Sequence, residues 1–390
     1  MFSVSDRNAP AGGSRRTGYV WHERFAWHDT GTSAGLVATG PAVQPLGHFE
    51  SPESKARLAS LVEVSGLAPM LERLPITAVV DDDVLRVHTS AHLDRLRSES
   101  TSRCGGDAGD GYSPFGPGSL EIALLAAGGT ACAVDAVLDE RVRNAYALVR
   151  PPGHHAERER GMGFCMLANI PIAIERARAT HPMLRVAVVD FDVHHGNGTQ
   201  SIYYDDPNTL TVSIHQEHLF PLTSGTLAER GSGRGHGFCI NVPLYAGSGN
   251  GTYTAALEQV VVPAVSAFAP DIILVACGFD AGALDPLGAM TVTAAGFAAM
   301  GQLLTEMADR VCAGRLVMSH EGGYSPAYVP YCGLAVLEAM SGISTGVVDP
   351  FSHLIPYATQ VVPRPFQLEP IVEAAALVRD LESILTARRR

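Results

Sequence analysis

Val186-Ala-Val-Val-Asp190-Phe-Asp192-Val-His194-His195 is the stretch whose reading decides the fold. Its first half is a short β-branched run of the kind that forms a strand buried on both faces. Its second half sets two carboxylates and two imidazoles where such a strand ends. Three other runs have the same form: residues 145–149 lead into Arg150-Pro-Pro-Gly-His154-His155, residues 272–276 into Gly278-Phe-Asp280, and residues 316–318 into His320-Glu-Gly-Gly-Tyr324. Residues 210–214 add one more apolar run. Ala- and Leu-rich segments with helical spacing lie between many of these, at 119–137, 167–180, 253–268 and 293–311. Alternating strands and helices predict an α/β fold, an open and mostly parallel sheet with helices on both faces. In such sheets ligands bind at the carboxyl ends of the strands, so the four polar clusters are expected to meet in one site.

Composition narrows the class. Of 390 residues, 46% are apolar and 17% charged, enough to build a sizeable core in one large domain spanning 18–390, after a flexible lead-in over 1–17. A net charge of −12 with almost no Lys argues against nucleic acid as a partner, because phosphate binding needs clustered cations. The polar, Gly-rich start lacks the apolar stretch of a secretory signal. The most hydrophobic later stretch, 260–279, is broken by Pro263, Pro270 and Asp271, so no membrane span is expected. Seven Cys without a C-x-x-C pair fit a reducing compartment, and the expected location is the cytoplasm. In the N-terminal part, Ser51-Pro52-Glu53 opens a capped helix over 54–65 with Pro just inside its start, and a second helix spans 90–99. The Gly- and Pro-rich stretch 105–118 reads as a long loop, and 368–390 as a closing helix whose three terminal Arg form a solvated tail.

Asp192 and His194 are one residue apart, so in extended backbone their side chains share a face and reach one metal ion. Asp280, from another strand end, adds a third ligand. Two carboxylates and one imidazole leave positions open for water and substrate, the pattern of a catalytic site. Zn²⁺ so held activates water and polarises a carbonyl, which points to hydrolysis. Such a reaction needs a base for the water and an acid for the leaving group, and His154 and His155 supply imidazoles for both. One such His is more often a satisfied loop residue; two in a row after Pro-Pro-Gly favour chemistry. Tyr324 follows two glycines that let a phenol approach the metal and hydrogen-bond an oxyanion. Asp190 is placed to orient a catalytic His.

These segments together resemble the histone deacetylase superfamily, most closely the bacterial class II histone-deacetylase-like amidohydrolases. The likeness runs from about Gly18 to Ile343 through Arg150–Ala156, Gly161–Cys165, Asp190–Thr199, Gly278–Asp280 and Glu321–Tyr324 in order. It implies the arginase/deacetylase fold, Zn²⁺ on Asp192, His194 and Asp280, a His154/His155 pair, and Tyr324 as carbonyl polariser. It further implies a narrow tunnel for an acyl-lysine-like stem lined by Gly163 and Phe164 with Phe220 opposite, although Phe220 also reads as ordinary core. A structural K⁺ would take backbone oxygens of Asp190, Asp192, His194 and Ile214 with the Asp190 and Ser213 side chains. Asp110 loosely matches a rim residue that orients substrate backbone, and bacterial relatives are commonly homo-oligomers. Asn197 stands where the class I pattern has a second orienting Asp. A neutral amide supports imidazolium less than a carboxylate does, so His155 is expected to be less basic, acting as main base and acid, with His154 on Asp190 contributing electrostatics.

Three rival readings bear on the same residues. A binuclear manganese ureohydrolase needs further carboxylates where this chain has Gly196 and Gly282, which argues for one metal. A non-catalytic acyl-lysine-binding protein would have no need of Tyr324 and the His pair. An acetylpolyamine deacetylase shares the reacting group, and the rim that decides between amines lies in loops.

Overall fold

The computed structural model describes residues 16–355 and 362–388. Eight strands form one sheet: β1 (Gly18–Val20), β2 (Glu72–Arg73), β3 (Ala145–Ala147), β4 (Val186–Asp190), β5 (Thr209–Gln216), β6 (Cys239–Leu244), β7 (Ile272–Cys277) and β8 (Leu316–His320). Their order is β6-β5-β4-β7-β8-β3-β1-β2, and every neighbouring pair is parallel. All carboxyl ends therefore share one edge. The chain runs outward from β4 to β6, then restarts on the other side of β4 with β7. Loops leaving β4 and β7 diverge there and open a crevice.

Helices cover both faces: α1 (Glu53–Val64), α2 (Ser90–Thr101), α3 (Ser119–Leu138), α4 (Asn169–Arg178), α5 (Asn197–Ile202), α6 (Asn250–Ala256), α7 (Val262–Phe268), α8 (Ala294–Cys312), α9 (Val329–Ser341) and α10 (Pro365–Arg388). Successive strand residues point to opposite faces. Ala187 and Val189 of β4 thus pack in one apolar cluster with Leu58 of α1, Phe297 of α8 and Leu334 of α9. Val186 and Val188 join the other cluster with Ala131 of α3 and Ile172 of α4. Burial on both faces explains the unbroken apolar runs of β4 and β7. Among the described residues α3 is long and apolar enough to cross a bilayer, yet most of it is buried in this second cluster.

Several local expectations change. Pro52 occupies the N-cap of α1, with no side-chain cap, so the helix starts after the Pro. Residues 250–268 are helical but interrupted by a π turn at Leu257–Val261. The stretch 105–118 contains a hairpin, Gly106–Asp107 with Pro114–Phe115. Part of the expected lead-in is built in: Thr17 is buried and its hydroxyl donates to Met340 O at 3.3 Å, while residues 1–15 lie outside the described residues. At the other end Arg388 is exposed, with its guanidinium 4.7 Å from the Phe238 ring centre, and Arg389 and Arg390 lie outside the described residues. Strands β1, β2 and β6 escaped the sequence reading. The first two are very short, and β6 carries Pro243, which is tolerated because β6 is an edge strand.

One buried ion cluster ties the N-terminal loops to the end of β3. Arg150 donates Nε to Glu50 Oε1 at 2.9 Å, pairs through Nη2 with Glu50 Oε2 at 2.8 Å, and donates Nη1 to Phe25 O and His28 O at 3.0 and 2.7 Å. Lys55 of α1 reaches the same carboxylate at 3.3 Å. Burial pushes the Glu50 carboxyl up, but Arg150 and Lys55 outweigh it and hold it at about 2. Breaking a buried pair leaves uncompensated charge, at a cost of about 3–5 kcal/mol. Glu50→Gln is therefore expected to lower unfolding stability by about that amount in a urea titration at neutral pH, and an unchanged midpoint would contradict it. Because the folded pKa lies below the ordinary value of 4.5, this stabilisation is complete above that pH and fades as pH falls toward about 2.

Candidate active site

The parallel sheet delivers the four polar clusters to one place, at the switch between β4 and β7. Asp192 and His194 lie just past the end of β4, and Asp280 just past β7, all three buried. His194 Nδ1 is 3.0 Å from Asp192 Oδ1 and 3.1 Å from Asp280 Oδ2. One donor atom from each residue falls within 4.8 Å of the others, spacing that suits a shared metal ion. Backbone N–H groups aim the carboxylates: His194 N donates to Asp192 Oδ1 at 3.0 Å, Gly322 N to Asp192 Oδ2 at 2.8 Å, and Val193 N to Asp280 Oδ1 at 2.8 Å. Gly322 has to be glycine for them to converge. A Cβ there would lie 2.1 Å from Asp280 Oδ2 and 2.6 Å from Asp192 Oδ2.

Two carboxylates so close and so deep do not share the site equally. Burial and the Asp192 charge push the Asp280 carboxyl up to about 6, whereas on Asp192 burial is outweighed by His154 and His194, which hold it well below the usual range. Burial lowers His194, yet its two carboxylate partners raise it to about 10. The cluster demands positive charge. A divalent cation meets that demand, and the O, O, N donor set fits it.

Beside the cluster stand His154 and His155, ring centres 3.9 Å apart. Glu321, just past β8, fixes their loop: its Oε2 accepts from Gly153 N at 2.6 Å and His154 N at 3.0 Å. Burial raises this carboxyl to about 7. His154 Nδ1 meets Asp190 Oδ2 at 3.0 Å, and its Nε2 comes within 3.8 Å of Asp192 Oδ1. His155 Nδ1 meets Asn197 Oδ1 at 2.7 Å. The two rings differ in charge. On His154 burial is outweighed by Asp192 and Asp190, lifting it to about 10; burial and the neighbouring His154 and His194 push His155 well below the ordinary imidazole range.

A cavity of about 280 Å³ reaches this floor, lined by His155, His194 and Tyr324 at the bottom. Gly163, Phe164 and Phe220 form its walls, so Phe220 is a wall residue and not sealed core. Its ring stands edge-on to His155 at 5.0 Å, while Phe164 meets Tyr324 at 5.6 Å. Gly163 and Phe164 both take left-handed backbone, at φ 53° and 69°. A Cβ on Gly163 would sit 2.2 Å from His155 Cδ2, so only glycine lets the wall close on that ring. Asp110 lies at the rim with both oxygens engaged, Oδ2 accepting from Gly163 N at 2.7 Å and Oδ1 from Tyr112 N at 3.0 Å. Burial, Asp280 and Asp192 hold the Tyr324 phenol well above its ordinary value, so it stays a donor.

Ser213 and Ile214 lie on β5, where Ser213 pairs in register with Asp190 of β4. The Ser213 hydroxyl is 2.9 Å from His215 Nδ1, and a small cavity of about 10 Å³ adjoins Asp190 and Ser213. The cluster His154, Cys165 and Glu321 also has metal-like spacing, but burial keeps the Cys165 thiol well above its ordinary value and Glu321 already holds backbone donors. At Gly196 a Cβ would fall 2.2 Å from Asp190 Oδ2, leaving no room for an added carboxylate. Sequence reasoning missed Leu36, Tyr112, Leu219 and Leu287 of the cavity lining, for which no local signal exists. It also missed Glu157, which stands behind Asn197 only two positions from His155.

The histone deacetylase domain family matches residues 48–340. A histone deacetylase-like amidohydrolase of Pseudomonas aeruginosa is 46% identical over 367 residues, covering 93% of this chain and 96% of that protein. A probable deacetylase of Archaeoglobus fulgidus is 35% identical, covering 87% and 90%. Among solved structures, the HD domain of HDA15 superposes with a TM-score of 0.81 at 30% identity, covering 96% of this chain and 97% of that one. With the family's domain spanning seven of the eight strands together with Asp192, His194, Asp280, the His pair and Tyr324, the chain belongs to the histone deacetylase family.

Proposed function

We propose that this protein hydrolyses acyl amides of lysine-like amines, with one Zn²⁺ held by Asp192, His194 and Asp280. The observation that carries this reading is the convergence, on the floor of one apolar tunnel, of three metal-type donors, two tied-back imidazoles and a protonated phenol. Bound there, the ion supplies Lewis acidity, polarising the acyl carbonyl and lowering the pKa of water. The chain's own groups do the rest. His155 donates Nδ1–H to Asn197, so its Nε2 lone pair is free; held neutral by burial and the neighbouring His154 cation, it takes a proton from water and returns it to the departing amine. His154, anchored by Asp190, contributes positive charge beside the developing oxyanion. Tyr324 donates its phenol hydrogen bond to the same oxygen.

Substrate choice follows from the walls. Phe164, Phe220, Leu219, Leu36 and Leu287 suit a methylene stem, and the lining holds a single carboxylate, Asp110, instead of an acidic funnel for a second ammonium group. This favours acyl-lysine over acetylated polyamines. K⁺ on the Asp190, Asp192, His194, Ser213 and Ile214 oxygens is part of the proposal, supported by the Asp190–Ser213 register. Zinc content, with turnover of an acetyl-lysine peptide, acetylputrescine and a trifluoroacetyl-lysine amide, tests the whole. Faster turnover of acetylputrescine would overturn the substrate assignment, and a zinc-loaded protein inert toward all three would overturn the reaction.

Asp280→Asn replaces a charged ligand by a weak neutral one and should lower zinc content well below one per chain. Gly322→Ala, which touches no ligand bond but pushes the two carboxylates apart, should weaken zinc binding by about 10- to 100-fold. Full occupancy at limiting zinc in either variant would count against the site. Tyr324→Phe should lower kcat by about 10²- to 10³-fold with zinc retained, as measured for loss of one oxyanion donor.

A further inference from the structure

Asn197 is a neutral partner for His155, and an amide presents an oxygen or an NH₂ depending on which way it is turned. Its NH₂ side meets three acceptors: Glu157 Oε1 at 2.9 Å, Met162 Sδ at 3.4 Å and His155 O at 3.5 Å. Glu157 is the nearest of these and the only charged one. It is itself pinned, since Arg160 Nε donates to its Oε2 at 2.9 Å and its own N–H donates to Arg160 O at 2.9 Å. We infer that Glu157 is a positioning residue for the hydrolytic reaction, holding the Asn197 amide with its oxygen toward His155 and so setting which His155 nitrogen faces the tunnel.

The physical consequence is a choice of tautomer. With Oδ1 turned to His155, the imidazole must place its proton on Nδ1 and leaves Nε2 free as a base. With the amide reversed, an NH₂ would face Nδ1, the proton would move to Nε2, and the ring could no longer accept one from water. Reversal would also set the amide oxygen against the Glu157 carboxylate, two acceptors at hydrogen-bond distance with no proton between them. A carboxylate behind the amide further polarises it, so its oxygen supports the imidazolium formed during turnover more than an isolated amide does. In this way the chain keeps a negative charge in the His155 relay, one group further out than a direct carboxylate would put it.

The inference rests on His155 being the base, and a charge exchange tests it. Glu157→Lys presents a donor to the amide and is expected to lower kcat on the acetyl-lysine peptide by about 30-fold or more, with KM within about twofold, since a wrong tautomer in a catalytic triad costs up to about 10⁴. Asn197→Asp sets two carboxylates against each other and should cost about tenfold. The double variant Glu157→Lys/Asn197→Asp joins a carboxylate directly to His155 with a cation behind it, and is expected to recover to within about fivefold of the parent. Glu157→Gln keeps shape and polarity, and should fall between the parent and Glu157→Lys. Zinc content and melting temperature are read on every variant. Recovery in the double variant with zinc unchanged supports a positioning role. Losses that merely multiply, or a Glu157→Lys enzyme as active as the parent, overturn it. If instead His155→Ala leaves kcat intact, the assignment of the base fails, an outcome distinct from failure of the Glu157 relay alone.

Discussion

Two carboxylates forced together in the dry interior are the constraint on which the site depends. Asp192 and Asp280 leave neighbouring strands on either side of the switch point, and both turn toward His194. Like charges in a low-dielectric interior repel strongly, so the arrangement persists only where the surroundings compensate. Three backbone N–H groups and the His194 imidazole provide that compensation, and the missing side chain of Gly322 leaves the two carboxylates room to converge. The residual demand for positive charge is one that a divalent cation would meet.

A second buried charge system does different work. Arg150, Glu50 and Lys55 lie under the loop that carries the His pair, linking the N-terminal segment, α1 and the end of β3. Lys55 also sits 5.5 Å from the ring centre of Tyr324. The cavity floor is thereby connected to the core by polar contacts whose loss would leave charges stranded, and the loop positions inherit that rigidity. Glu321, just past β8, also holds this loop, accepting from the backbone of Gly153 and His154. Loops at the end of a parallel sheet are free to vary; here they are fastened at both ends.

The sheet's central strands were legible because burial on both faces imposes a plain signal, an apolar run ended by a polar cluster, as in Val186–Asp190 and Ile272–Cys277. Strands β1 and β2 were not, since runs so short carry too little pattern, and β6 was masked by Pro243. The hairpin at Gly106–Asp107 and Pro114–Phe115 was hidden among turn residues. For the candidate site, the residues that end strands stood out by type, whereas Leu36 and Leu287 reach the cavity from loops whose paths no local rule specifies.

From residue order alone came the alternation of strand and helix, hence a mostly parallel sheet, and with it the expectation that the four strand ends carrying polar clusters face one way. That is a local matter of periodicity and side-chain chemistry. Only the tertiary structure decided the strand order that sets β7 beside β4 and so brings Asp280 within reach of Asp192 and His194. It alone turned Glu157 onto Asn197 and engaged Asp110 with Gly163. Such contacts depend on where loops return after leaving the sheet, and that path is fixed by packing across the whole chain, not by neighbours in sequence.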